Sequence, residues 1–418
     1  MNIEAIKKLL SEQRDSLHVF GSKTSKNDCF KSLGLELALK KETAIERLDD
    51  TSVRVSADTL VSDLLDRLDS WGLALPTIGE WSGQTLAGAV STGTHGGSLF
   101  HGSLMSSVIG VSFLDGRGQL LKAREGESDL TFLLPSFGST GVFVDFDLRC
   151  EPAFSLAMTR SLYEADQYIK NITEMVSSAE FSASVWLPNL NALVEYSAER
   201  IQMSGNVEKT RELRFNNKTM IADWLATFLR KKSEPAIKGN RELLRRFRAS
   251  LCSNLFPDAY YIGNYRDVLA PIQSNAKHIL KKRKKNRTPP EGEFAVQFDR
   301  LESFLGELKK IFTKTSSYPD RPIGLRPGKQ ERGALAATHT GDGIWVSLFV
   351  RRSSKLMIFL PGLLREFEAK PHWGKTIFND LSSLPSMYDE WADFVAFRNH
   401  MDPDKRFINA FCQRLGIN

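Results

Sequence analysis

The sequence predicts an α+β protein of two domains, and three observations carry that reading. At 418 residues the chain exceeds what one small core accommodates. Its first 150 residues intersperse short apolar strands with amphipathic helices and glycine-marked turns, the pattern of an α+β unit. From about Phe154 the texture changes to alternating strands and long basic helices, which marks a second domain.

Each element follows from a local pattern. Ile3, Ile6, Leu9 and Leu10 make one helical face, and Leu17-His18-Val19-Phe20 follows as a short buried strand stopped by Gly21-Ser22. Ser52 to Ser56 alternates as a strand. Asp58 is the expected N-cap of the next helix, whose apolar line Leu60, Leu64, Leu65 and Leu68 runs to Trp71 before Gly72 ends it. Val108 to Leu114 and Gln119 to Lys122 read as paired strands around the turn Asp115-Gly116-Arg117-Gly118. Gly138-Ser139-Thr140-Gly141 leads into a strand at Val142 to Leu148. In the second part, Ser182 to Leu187 alternates as a strand, while Ile221 to Lys231 and Arg241 to Arg248 read as basic helices. Met401 to Asn409 reads as a turn and short helix that returns to the first domain.

Composition excludes several classes. The net charge of +6 is a small difference between 56 basic and 50 acidic side chains, and Lys281 to Arg287, ahead of Thr288-Pro289-Pro290, supplies such an excess by itself. No aromatic residues interleave with this basic run, so it reads as a solvated loop, and neither nucleic acid nor membrane is an expected partner. Cys29, Cys150, Cys252 and Cys412 are widely separated and form no Cys-x-x-Cys pair, which suits reduced thiols in a cytoplasmic protein. Met1 to Leu10 carries charges within helical spacing, unlike a signal peptide. The longest apolar run, Leu356 to Leu364, falls far short of the roughly 20 residues a bilayer requires and is broken by Pro361-Gly362. Hydrolase chemistry lacks its parts, with no Gly-x-Ser-x-Gly elbow and no His-Glu-x-x-His; no metal-spaced histidine cluster is present, so no metal is expected.

Gln84 to Ser103 is dominated by glycine and small residues, including Ser91-Thr92-Gly93-Thr94-His95-Gly96-Gly97. Without bulky side chains the backbone bends sharply and brings successive N–H groups to an anion, and hydroxyls add donors. This stretch reads as a phosphate cradle for a nucleotide cofactor. Neither a Gly-x-Gly-x-x-Gly turn between strand and helix nor a Gly-x-x-x-x-Gly-Lys loop is present.

Taken in order, Val19 to Ser25, Leu75-Pro76-Thr77-Ile78-Gly79, Gln84 to Gly96, Gly138 to Val142, Pro371-His372-Trp373-Gly374-Lys375 and Asp402 to Asn409 resemble FAD-linked oxidases of the vanillyl-alcohol-oxidase fold. Within that group they look like the sugar-lactone and alditol oxidase branch. The resemblance implies an FAD domain built from both chain ends around a central α+β substrate domain: residues 1–152 for FAD, 153–397 for substrate and 398–418 returning to the first. Carried over by position, Phe20, Gly21, Ser22, Lys23, Thr24 and Ser25 would wrap one side of the pyrophosphate, and Ser91, Thr92, Gly93, Thr94, His95, Gly96 and Gly97 the other. Gly102 and Ser103 would lie near the flavin, Gly141 and Val142 near the adenine, and Asn409 would also contact the cofactor.

The chain departs from that pattern in two places. Many members of the branch carry a first-loop histidine bonded covalently to the flavin; Thr24 stands there, so FAD is expected to bind without a covalent link. Related enzymes also place a Glu-x-Arg pair on one strand and a histidine on the next. Aligned here, these positions are Gly324, Arg326 and Phe349, and His372 joins them facing the substrate. Two cations, a glycine and a phenylalanine favour a substrate with an apolar or planar part and an anionic or carbonyl group. Lys375 divides between stabilising a developing alkoxide or the anionic reduced flavin, with burial depressing its pKa towards proton transfer, and satisfying a carboxylate at a domain interface. Arg326 divides between anion clamp and structural ion pair. His95 and His101 read as partners of phosphate or backbone.

The implied activity is FAD-dependent oxidation of a CH–OH group in a sugar-derived or biosynthetic small molecule, by hydride transfer to flavin and reoxidation by dioxygen or another acceptor. Two alternatives share the fold: C–N or C–C dehydrogenation of a modified metabolite, and a flavin-binding protein without turnover.

Overall fold

Period-two alternation decides the architecture, because it gives each long strand one apolar face and one face of different character. The computed structural model describes residues 3–12, 15–29, 31, 33–38, 44–201, 253, 256, 258–269 and 289–417. The expected helices at Ile221 to Lys231 and Arg241 to Arg248, Cys252 and the basic run Lys281 to Arg287 lie outside these residues.

Leu17–Phe20 (β1) runs parallel to Leu35–Ala38 (β2). An antiparallel sheet comprises Ile45–Arg47 (β3), Ser52–Ser56 (β4), Val108–Leu114 (β6), Leu120–Arg124 (β7) and Val142–Arg149 (β8), in the order β3-β4-β8-β6-β7. Leu73–Ala74 (β5) pairs with Glu151–Pro152 (β9). The larger antiparallel sheet holds Ser155–Glu164 (β10), Phe181–Leu187 (β11), Ala192–Ile201 (β12), Ala259–Asn264 (β13), Glu291–Gln297 (β14), Ile323–Gly328 (β15), Gly343–Phe349 (β16) and Lys370–Pro371 (β17). Its order is β13-β10-β12-β11-β15-β16-β14-β17.

Helix Val61–Ser70 buries Val61, Leu64, Leu65 and Leu68, one stripe at helical spacing, in a core shared with Val53, Val55 and Phe146. The same core takes Leu156, Phe181, Val194 and Tyr196, so it joins the two sheets. The opposite face of the large sheet, Phe294, Val296, Leu325, Ile344 and Val346 among its residues, is covered by helices Phe298–Thr315 and Leu356–Glu366. Over β14, β15 and β16 the face turned away from these helices carries Glu291, Glu293, Arg326 and Trp345 beside Ala295.

Two local expectations are corrected. Helix Val61–Ser70 starts from Leu60 with no side-chain cap, because the Asp58 carboxylate is taken by the Ser56 hydroxyl. The returning strand spans Leu120–Arg124, since Gln119 belongs to the turn that Asp115 Oδ1 closes by accepting its N–H at 2.8 Å. Pro361 lies inside helix Leu356–Glu366. Among the described residues no helix is long and apolar enough to cross a membrane.

The closing segment is fastened to the beginning of the chain. Asp402 pairs with Arg398 in full burial and accepts the Arg406 and Phe407 N–H groups at 2.7 and 2.8 Å. Arg406 in turn donates to the carbonyls of Leu10 and Asp15 at 2.8 and 3.1 Å.

Candidate active site

Three segments meet around one cleft of about 810 Å³: Phe20 to Ser25 after β1, Gly88 to Thr92 along helix Leu86–Ser91, and Gly138 to Val142 ahead of β8. Thr85 caps the helix by accepting the Gly88 N–H at 3.3 Å, and Thr92 Oγ1 donates to the Gly88 carbonyl at 2.9 Å. Gly93, at φ +71°, takes the left-handed turn that brings the Thr94 N–H back to the Ala89 carbonyl at 2.9 Å. Asn27 Nδ2 donates to the Trp373 and Lys375 carbonyls, and the Lys26 N–H to Gly374 O at 2.8 Å, fastening the first loop to His372-Trp373-Gly374-Lys375.

These residues fit the FAD that the sequence resemblance implies. Ser22 Oγ is buried in the cleft with no hydrogen-bond partner among the described residues, a donor left for an anionic ligand. No described residue lining the cleft is acidic, so a diphosphate meets no like charge there. The cradle continues into a cavity of about 410 Å³ lined by Thr92, Gly93, His95, Gly96, Gly102 and Ser103 on one side and by Trp345, His372 and Trp373 on the other.

Three positions expected at the cofactor lie elsewhere. Asn409 is fully buried and spends its carboxamide capping helix Ala410–Arg414, accepting from Phe411 and Cys412 N–H groups, while Nδ2 donates to Phe137 O at 3.3 Å; it braces the Phe137-Gly138 turn rather than lining the cleft. Thr94 accepts from Gln84 Nε2 at 3.0 Å and borders neither space. Gly97 packs against the large sheet, where a Cβ would stand 2.2 Å from the Ser182 carbonyl oxygen.

The chemically distinctive part lies on the face of the large sheet turned away from helices Phe298–Thr315 and Leu356–Glu366. Lys375 Nζ sits 2.5 Å from Glu291 Oε1 and 3.4 Å from Glu293 Oε2. Arg326 pairs with Glu293 Oε1 and, at 3.0 Å, with Glu80 Oε1. The result is one chain of alternating charge, Glu291–Lys375–Glu293–Arg326–Glu80, with Glu293 buried at its centre. His95 stacks on Trp345 at 4.0 Å and 9°, and its Nε2 lies 3.5 Å from Glu293 Oε1. Its Nδ1 is 2.8 Å from the Gly96 carbonyl and must therefore carry a hydrogen, so the expected backbone partner is present. His101 instead bonds Glu180 at 2.6 Å, beside Arg200.

The strand register revises the substrate-facing set. Trp345, not Phe349, stands opposite Arg326, and Ser347 stands opposite both Gly324 and Glu293. Phe349 lies four residues further along β16, opposite Glu291, with the Arg321 guanidinium 4.8 Å from its ring centre. His372 lines the cavity and accepts the Gly374 N–H on Nδ1 at 2.9 Å. Trp373 fills the core, donating to Leu335 O at 2.7 Å. Sequence reasoning missed Glu80, Glu291 and Glu293. The signal available was Glu291-Gly292-Glu293-Phe294-Ala295-Val296, an alternating strand with two acids on one face.

Ligand atoms of His95, Glu293 and His372 lie within 4.8 Å of one another. A divalent cation there would face the ammonium and guanidinium already paired with Glu293, and the His372 Nδ1 lone pair is already used, so the grouping suits a hydrogen-bond network.

Electrostatics corrects two expectations. Burial lowers the pKa of Lys375, but Glu293 and Glu291 outweigh it and the net shift is upward, so Lys375 stays an ammonium rather than shuttling a proton. Burial likewise works against ionised Glu293, yet Arg326, Lys375 and His95 hold its carboxyl well below the usual range. Three carboxylates surround two cations, so the cluster does not favour an anionic substrate.

Burial also pulls His372 down to about 3 and His18, at the cofactor cleft, down to about 4. In the unfolded chain both titrate near 6.5, so protons favour unfolding below that pH: stability is complete above about pH 6.5 and lost as pH falls towards 4 and then 3. The melting temperature should be level from about pH 7 to 8 and decline below about 6.5, less steeply in His372→Asn. An identical decline in that variant would contradict a buried neutral imidazole at this position.

Comparison with known proteins places this geometry. The family model described as D-arabinono-1,4-lactone oxidase matches residues 146–415, and an FAD binding domain model matches residues 2–124. L-gulonolactone oxidase of Bos taurus is 22% identical over 433 residues, covering 99% of this chain and 93% of its own. A protein of Neurospora crassa named putative D-arabinono-1,4-lactone oxidase is 23% identical, covering 87% of this chain and 72% of its own. Among solved structures, cholesterol oxidase from Brevibacterium sterolicum superposes with a TM-score of 0.70 at 14% identity, over 98% of this chain and 91% of its own, a likeness of fold.

Proposed function

Because the chain belongs to the D-arabinono-1,4-lactone oxidase family and is an FAD-dependent oxidase acting on CH–OH donors, we propose that its substrate is a neutral, sugar-derived polyol, lactol or lactone bound between the glycine-rich cradle and the Glu291–Lys375–Glu293–Arg326–Glu80 chain. The reading is carried by Glu293, buried and flanked by two cations and His95. A line of alternating acceptors and donors matches vicinal hydroxyl groups, each of which both gives and takes a hydrogen bond.

FAD, when bound, supplies the acceptor for the hydride that leaves the substrate carbon. The Lys375 ammonium stabilises negative charge developing on the substrate oxygen as its C–H bond breaks. Glu293 Oε2, in ion-pair range of Lys375 but outside hydrogen-bond geometry with any group of the described residues, accepts a hydrogen bond from a substrate hydroxyl. Arg326, held by Glu293 and Glu80, positions that carboxylate. Phe20 to Ser25, Gly88 to Thr92 and Gly138 to Val142 hold the dinucleotide.

A panel of free alditols, aldoses and sugar lactones tested for hydrogen peroxide release under air should yield at least one substrate. Release from none of them, by flavin-loaded protein that dithionite reduces, would sink the proposal.

We further propose that FAD is held without a covalent bond. Thr24 lines the cofactor cleft, and its hydroxyl is too weakly basic to add readily to the flavin methyl. Acid precipitation should send the flavin into the supernatant; yellow retained in the pellet would overturn this point. The reduced, buried Cys29, Cys150 and Cys412 support a cytoplasmic setting.

A further inference from the structure

We infer that the substrate carries a nonpolar substituent, a short alkyl chain or an aromatic ring, beside its oxidised polar portion, and that a separate apolar pocket beyond Arg326 receives it; this rests on the oxidation proposed above. The pocket has a volume of about 620 Å³, and its walls include Met158, Phe181, Ala183, Tyr196, Ala198 and Leu269. All but Leu269 come from β10, β11 and β12, on the half of the large sheet's face towards the smaller sheet that carries no charge cluster.

Two features tie this pocket to the reacting site. Arg326 borders it while pairing with Glu293 on the other side. Gly96 lines both this pocket and the cavity beside His95, so the two spaces lie on either side of that residue. Packed interiors leave few voids larger than a water molecule, so an opening with largely apolar walls next to a catalytic cluster is a place for a guest. Glu80 and Glu293 already occupy the guanidinium of Arg326, so the pocket offers its guest burial rather than an unpaired charge.

The test takes the best free sugar from the oxidase panel and its O-alkyl ethers of one, four and eight carbons. Binding of each to the oxidised holoenzyme is measured by calorimetry, which reads affinity independently of turnover. The dissociation constant should fall about threefold to fourfold per added methylene until the pocket is full. Ala183→Trp, or Leu269→Trp from the opposite wall, should erase that gain while leaving kcat/KM for the free sugar within about twofold. Alkylated ligands that bind no tighter than the free sugar, or a gain that survives both substitutions, would overturn the inference and leave the oxidase assignment standing. Failure of every free sugar to reduce the flavin would instead remove the reading on which it rests.

Discussion

Lys375→Met is expected to lower the rate of flavin reduction by substrate by about 10²- to 10³-fold, the usual cost of deleting a preorganised group that stabilises charge formed in the transition state. Nζ has no role among the residues lining the dinucleotide cleft, since it is spent on Glu291 and Glu293, and the residue reaches the first loop only through its backbone carbonyl, which accepts from Asn27. The variant should therefore keep its flavin while losing turnover. Rapid mixing under anaerobic conditions separates the two: a normal spectrum with a slow bleaching phase is the expected outcome. Bleaching at the parental rate would remove Lys375 from the chemistry.

Glu293→Gln should cost about 3–5 kcal/mol of stability, because it leaves Arg326 and Lys375 without their shared buried counter-charge. Each cation keeps one other carboxylate, Glu80 for Arg326 and Glu291 for Lys375, but neither of these is as deeply buried. The sign of the pH dependence supplies a control. The Glu293 carboxyl is held well below its ordinary 4.5, so its stabilisation is present above that pH and is lost as pH falls through the depressed value. Parent and variant should differ most near neutrality and converge in acid. A constant gap down to about pH 3 would show that the loss comes from packing rather than charge.

Much of the fold was legible in the sequence wherever a local rule applies. The stripe Leu64, Leu65 and Leu68 and the turn at Asp115 to Gly118 announce themselves within a few residues, and the small residues of Gln84 to Ser103 have no use in an ordinary core. What escaped depends on contacts distant in sequence. Nothing local sets the register of β15 against β16, so aligning Gly324, Arg326 and Phe349 does not reveal that Trp345 is the residue opposite Arg326. Glu293 is an unpromising acid in an apolar strand until Arg326 and Lys375 arrive from 33 and 82 residues away. The direction of the Lys375 pKa shift was misjudged for the same reason, since burial alone lowers it and only its carboxylate partners reverse the sign. Asn409 was taken for a cofactor contact because it belongs to the motif, whereas its side chain is consumed by a helix cap.

The most direct test of the central claim is an anaerobic titration of the flavin-loaded protein with the sugar-derived alcohols and lactones of the panel, following the visible flavin bands. The account requires that at least one of them bleach the bands and that air restore the colour. Bands that persist with every such compound, in protein that dithionite bleaches normally, would contradict it.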